Sequence, residues 1–199
     1  MKIDLLGYAL IILILGISYC IYNESDYFNL KCIVSDVDGR KYCVRERKKL
    51  HEAADRLAKA TQAMTTLVKH CKAKFPDDER VKRLVEGYNP KKIVEILPTS
   101  KYTAYSQNKG EKLAFCLNTE KNGDRLIDLN TLTFVALHEL SHVATKEIGH
   151  TPKFWQNFKF LLDEAVDIGI YKPVNYNKKP RKYCSMMIND NPYYSLSAK

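Results

Sequence analysis

At 199 residues the chain can build one domain with a hydrophobic core and carry a short appendage, but not two full domains. Its 32 basic and 23 acidic side chains leave a formal charge of +9, yet the clusters RERKK (residues 45–49) and KKPRK (residues 178–182) lack the interleaved aromatics that stack on single strands, so nucleic acid is not an expected partner. Six cysteines without a CxxC pair signal neither a zinc ribbon nor a complete disulfide framework.

Residues 5–22, LLGYALIILILGISYCIY, carry no charge and have the length of a helix that crosses a bilayer core. A cleaved secretory signal has an apolar region of about 7 to 15 residues. This run is longer and ends in bulky Tyr19, Ile21 and Tyr22, so it reads as a membrane anchor over residues 1–22. Lys2 lies on one side and Lys31, Arg40 and Lys41 on the other, so charge sets no orientation.

Residues 23–44 read as a hairpin and linker, with KCIVSDVDGRKYCV folding about an Asp-Gly turn. Cys32 and Cys43 then share a face, directly opposite with a four-residue loop or diagonal with a two-residue loop. A disulfide between them is allowed but not required. Residues 45–199 form the main domain. From Arg45 to about Lys74 the positions Leu50, Ala54, Leu57, Met64, Leu67, Val68 and Cys71 recur at helical spacing, predicting one long helix packed on its own domain's sheet. Pro76-Asp77-Asp78 opens a shorter helix ending near Gly87, its acidic start suited to the helix dipole.

Pro90 and Pro98 bracket a brief element, and KYTAYSQNKGEKLAFCLNT gives two strands about an Asn-Lys-Gly turn, with a further turn at Asn122-Gly123. A helix follows, capped by Asn130 or Thr131, with Leu132, Ala136, Leu140 and Val143 facing away from His138 and His142. These two histidines, four residues apart in HELSH, lie one turn apart on the same face and can ligate one ion. Glu139 is rotated round the helix from them, where it can serve a metal-bound water as general base.

A catalytic zinc needs a third protein ligand, and His150 is the candidate. Gly149 permits a sharp reversal before it, and Thr151-Pro152 caps and opens the next helix, which stops near Gly169. Glu164 or another acidic residue of that helix is the substitute ligand. Phe154, Trp155, Phe158, Leu161, Leu162 and Ala165 read as its core face, and His51 and His70 as surface or packing residues. Tyr105, Tyr171, Tyr176 and Tyr183 are the candidates to steady an oxyanion, and the strand around residues 113–117 to pair with an extended substrate.

HELSH followed by GHTPKF resembles the WLM and SprT-like branch of the zincin metallopeptidases over roughly residues 95–172. The resemblance implies an α+β zincin-like domain, here behind an N-terminal transmembrane helix. It also implies zinc held by His138, His142 and His150, a peptide or protein substrate, and Glu139 as the catalytic base. The gap from His142 to His150 is longer than in WLM proteins, and no zinc ribbon follows, which leaves DNA-linked proteolysis outside the expectation. Longer pieces, YCVRERKKLHEAADRLA and GHTPKFWQNFKFLLDEAVDIGIY among them, resemble membrane-anchored proteins of large DNA viruses of algae and protists. That likeness implies a second reading, a structural virion protein anchored in the inner membrane and touching capsid proteins.

Overall fold

The computed structural model describes residues 5–25 and 29–195; Lys2 and part of the polar junction after the apolar run lie outside the described residues. Helix α1 (Leu5–Glu24) comes first. Its span Leu5–Asn23 has a mean hydropathy of 2.2, and none of its most apolar window is covered by the rest of the chain. A core helix hides its apolar side chains inside its own domain, and α1 hides none there, so it is not one.

Five strands form the main sheet: β1 (Leu30–Val34), β2 (Lys41–Arg45), β3 (Ile93–Glu95), β4 (Ala104–Gln107) and β5 (Lys112–Phe115). Their spatial order is β1-β2-β3-β5-β4, with β2, β3 and β5 mutually parallel and β1 and β4 antiparallel at the two edges. The segment expected as a hairpin and linker is thereby part of the same sheet, and Tyr42 and Val44 of β2 are buried in the common core. Cys32 and Cys43 face each other across the hairpin and form a disulfide. The loop Asp36–Gly39 is closed by Ser35 donating to Arg40 O at 2.9 Å, which is the four-residue alternative.

Helix α2 (Leu50–Lys74) and helix α3 (Glu79–Gly87) connect β2 to β3. The α2 face of Ala53, Leu57, Met64, Leu67 and Cys71 is buried, so this helix packs on its own domain. It starts at Leu50 rather than at Arg45 because Arg45 ends β2 and the Arg47 side chain that follows is drawn inward. Arg45 Nε donates to the fully buried Glu95 at 2.8 Å, and Arg47 pairs with the same carboxylate and with Asn118 Oδ1 at 2.6 Å. Two cations of the RERKK run are therefore internal ties between β2, β3 and the segment after β5. A buried carboxylate is tolerable when it is paired and hydrogen-bonded in this way.

Two long helices follow, α4 (Leu129–Ala144) and α5 (Pro152–Asp167). The chain ends in a hairpin of β6 (Arg181–Tyr183) and β7 (Met186–Ile188) and a short helix α6 (Pro192–Ser195). That hairpin is joined to the end of β5 by a second disulfide, Cys116–Cys184, with the Cα atoms 5.9 Å apart. Cys184 N and Ser185 N also donate to Asn118 O and Thr119 O, at 3.0 and 2.9 Å. The result is an α+β domain carrying an apolar N-terminal helix.

Candidate metal centre

Helix α4 runs through the core, with Leu132, Ala136, Leu140 and Val143 among its buried residues. Its cap is Asp128, not the expected Asn130 or Thr131. Asp128 Oδ1 accepts from Thr131 N at 2.9 Å and Oδ2 from Thr131 Oγ1 at 2.7 Å, so the carboxylate satisfies a free N–H of the first turn. Asn130 is occupied instead with the backbone of Lys172. After α4 the exposed segment Lys146–His150 turns at Gly149, whose φ of +85° suits glycine. Thr151 Oγ1 then accepts from Phe154 N at 3.3 Å, with Pro152 in the first helical position of α5.

This path brings His150 back to α4. One ligand-capable nitrogen from each of His138, His142 and His150 can be chosen so that all lie within 4.8 Å of one another. The Nε2 atoms of His138 and His150 are 3.0 Å apart, close to the separation of two nitrogens sharing a zinc ion at about 2.0 to 2.1 Å each. The fully buried Phe154 ring packs on all three imidazoles, with centroids at 4.9, 4.3 and 4.7 Å. It was read from the sequence only as core. The available signal was its place in the first turn of the helix that opens directly after His150 and Thr151.

Burial, reinforced by the neighbouring imidazoles His142 and His150, lowers the His138 pKa to about 3. Burial, His150 and the Lys109 cation lower His142 to about 4. Both rings are therefore neutral at pH 7, the form that ligates metal. Glu139 is 5% exposed, has no hydrogen-bond partner among the described residues, and is pushed up to about 8 by burial alone.

The three histidines and Glu139 line a cleft of ≈ 970 Å³. Its lining includes Tyr102–Lys109 with β4, Met186, Met187 and Ile188 of the C-terminal hairpin, and Phe134, Trp155 and Phe158. The strand expected to face substrate, around residues 113–117, is not at the edge: β5 lies between β3 and β4, and the edge strand beside the cleft is β4. Of the four candidate tyrosines, Tyr171 and Tyr176 lie outside the cleft lining. Tyr183 lines it but donates its proton to Thr103 O at 3.1 Å, leaving Tyr105. Glu164, the substitute ligand, is taken up by Lys74 and His70, each at 2.8 Å, which gives His70 a packing role.

No family model and no solved structure matches the chain. Sequence relatives do. The chain is 44% identical over 69 residues to uncharacterized protein 136R of invertebrate iridescent virus 6, covering 34% of this chain and 38% of that protein. It is 39% identical over 101 residues to uncharacterized protein 042R of invertebrate iridescent virus 3, covering 50% and 57%. To uncharacterized protein R325 of Acanthamoeba polyphaga mimivirus it is 30% identical over 187 residues, covering 92% of both chains. The chain belongs to the R325 family. A match of that length takes in both α4 and α5, the helices that frame the centre.

The donor set of this R325-family chain fits a zinc ion. Three imidazoles converge, two of them, His138 and His142, held neutral by burial, and the Glu139 carboxyl beside them is buried without a partner. A tetrahedral ion held by these three nitrogens would keep a fourth position for water or substrate.

The titrations give a testable pH profile for the metal-free protein. Folded His138 and His142 stay neutral where the unfolded chain protonates near 6.5, so their stabilising effect is lost as the pH falls from 6.5 toward about 3 to 4. Glu139 has the opposite sign: its folded form keeps a proton up to about 8 where the unfolded carboxyl ionises near 4.5, so stability is lost as the pH rises between these values. Two imidazoles outweigh one carboxyl where the windows overlap. Thermal melts of chelator-treated protein should therefore peak near pH 6.5, and zinc should flatten the alkaline fall by giving the Glu139 carboxylate a cation. Parallel profiles with and without zinc contradict this electrostatic description of the centre.

Proposed function

We propose that this R325-family protein is a membrane-anchored zinc metallopeptidase, the activity implied by the WLM and SprT-like zincin resemblance of HELSH and GHTPKF. The observation that carries the reading is the convergence of His138, His142 and His150 beside a buried, unpartnered Glu139 in a cleft bordered by an edge strand. His138, His142 and His150 would hold the zinc, which would supply Lewis acidity to polarise a scissile carbonyl and acidify water. Glu139 takes the proton of the attacking water and passes it to the leaving amine. Tyr105, which lines the cleft, is the remaining tyrosine candidate to steady the developing oxyanion.

β4 supports an extended substrate. β5 occupies one side of β4, and among the described residues no strand occupies the other, so a peptide can add there by backbone hydrogen bonds. Phe134, Trp155, Met186 and Met187 make the cleft apolar enough to favour large apolar side chains on that peptide. The test is cleavage of denatured protein and of a mixed peptide library by detergent-solubilised full-length protein. Hydrolysis that a chelator stops and zinc restores is expected. Absence of hydrolysis from zinc-loaded protein contradicts the peptidase reading.

Membership of a viral family favours one second reading, a structural virion protein whose zincin-like domain touches capsid proteins. Fixed stoichiometry in cross-linked contact with capsid protein, without hydrolysis, is its expected signature. Both readings use α1 as the anchor, because an apolar helix of this length that its own domain leaves uncovered is stabilised by lipid. Carbonate extraction of infected or expressing cells should leave the full-length chain in the membrane pellet. Release into the soluble fraction, or a mature N-terminus near Tyr19, contradicts the anchor.

A further inference from the structure

The Asn-Lys-Gly turn between β4 and β5 has a conformation that aims one side chain at the metal centre. Asn108, Lys109 and Gly110 have successive φ values of 47°, 54° and 106°, all in the region that ordinary residues avoid. Contacts on both sides hold the turn there. A Cβ on Gly110 would meet Gly87 O at 2.6 Å and Val143 Cγ2 at 3.0 Å, and one on Gly87 would meet Lys109 O. Only two glycines let the turn seat against the end of α3 and the side of α4.

From that seat the Lys109 ammonium donates to His142 O at 3.3 Å, Thr145 O at 2.7 Å and Glu147 O at 2.8 Å. The first carbonyl belongs to a ligand, and the other two lie on the chain joining it to His150. A cation at a helix C-terminus is ordinarily a cap for its last carbonyls. Arg83 is such a cap here, with its Nε donating to Ala144 O at 2.9 Å. Lys109 differs by reaching beyond the helix to Glu147, within the exposed segment Lys146–His150.

We propose that Lys109 is a positioning residue for the metal centre, fixing the loop that carries His150 relative to the helix that carries His142. This rests on the zinc site of the proposed function, and not on hydrolysis. Because the same turn ends β4, the proposal also makes Lys109 the link between the substrate strand and the third ligand.

The test compares detergent-solubilised full-length wild type, Lys109→Met, Lys109→Gln and Arg83→Met for zinc affinity by chelator competition, for the visible spectrum of the cobalt-loaded protein, and for thermal stability. Removing groups that orient ligands usually costs about 10- to 100-fold in metal affinity. Lys109→Met is expected to lose zinc affinity in that range and to change the cobalt spectrum. Lys109→Gln, which still offers a donor to one carbonyl, should lie between it and wild type, and it serves as the comparison if the Met variant does not fold. Arg83→Met should lower stability while leaving affinity and spectrum near wild type. Equal affinity and spectrum in the Lys109 variants overturn the proposal alone, as does an equal affinity loss in Arg83→Met. Failure of the wild type to bind zinc overturns both this proposal and the metal centre.

Discussion

Glu139→Gln should leave the fold and the zinc content intact and lower the hydrolytic rate by roughly 10²- to 10⁴-fold, the span for removing a general acid-base group. The substitution is nearly isosteric in a site that is 5% exposed, so no cavity opens. The neutral amide also avoids placing a charge where burial already resists one. In the proposed centre the three histidines would hold the zinc, so it should stay. Rate assays and metal analysis on the same preparation decide the matter. An unchanged rate with zinc retained removes Glu139 from the chemistry, while loss of zinc makes it part of the metal's support rather than the base.

A second large effect is expected from opening Cys116–Cys184. This disulfide spans 68 residues. Loop closure on that scale restricts the unfolded chain by about 4 kcal/mol, equivalent to roughly 10 °C in melting temperature for a domain of this size. The Cys32–Cys43 bridge spans only 11 residues, and the same relation gives about 3 kcal/mol. Cys116→Ala with Cys184→Ala should therefore melt lower than Cys32→Ala with Cys43→Ala. It should also weaken peptide binding, because Cys184 sits at the turn of the hairpin that supplies Met186 and Met187 to the cleft. Melting curves of the two double variants beside wild type provide the check. The reverse order, or no loss in either, contradicts the pairing.

What the sequence made legible was local. The i, i+4 placement of His138 and His142 needs only a helix, and the helix is there. Gly149, Thr151 and Pro152 have the positive φ, the cap and the first-turn position that their residue types favour. What it hid depended on partners distant in the chain. Cys116 and Cys184 carry no spacing signal because 68 residues separate them. Arg45 and Arg47 look like surface charge until Glu95, about 50 positions on, is brought between them by strand order. That same order, fixed by tertiary packing, put β4 rather than β5 at the edge. Lys109 looked like an ordinary turn residue because its three carbonyl acceptors lie more than 30 residues away.

Zinc content of the purified full-length protein decides whether His138, His142 and His150 form a metal centre. Protein loaded with zinc and then freed of loose metal should retain about one ion per chain. His138→Ala, His142→Ala and His150→Ala should each lose it under the same wash, while His70→Ala, whose ring serves Glu164, should keep it. No retained zinc in the wild type, or full retention in the His138, His142 and His150 variants, contradicts the account.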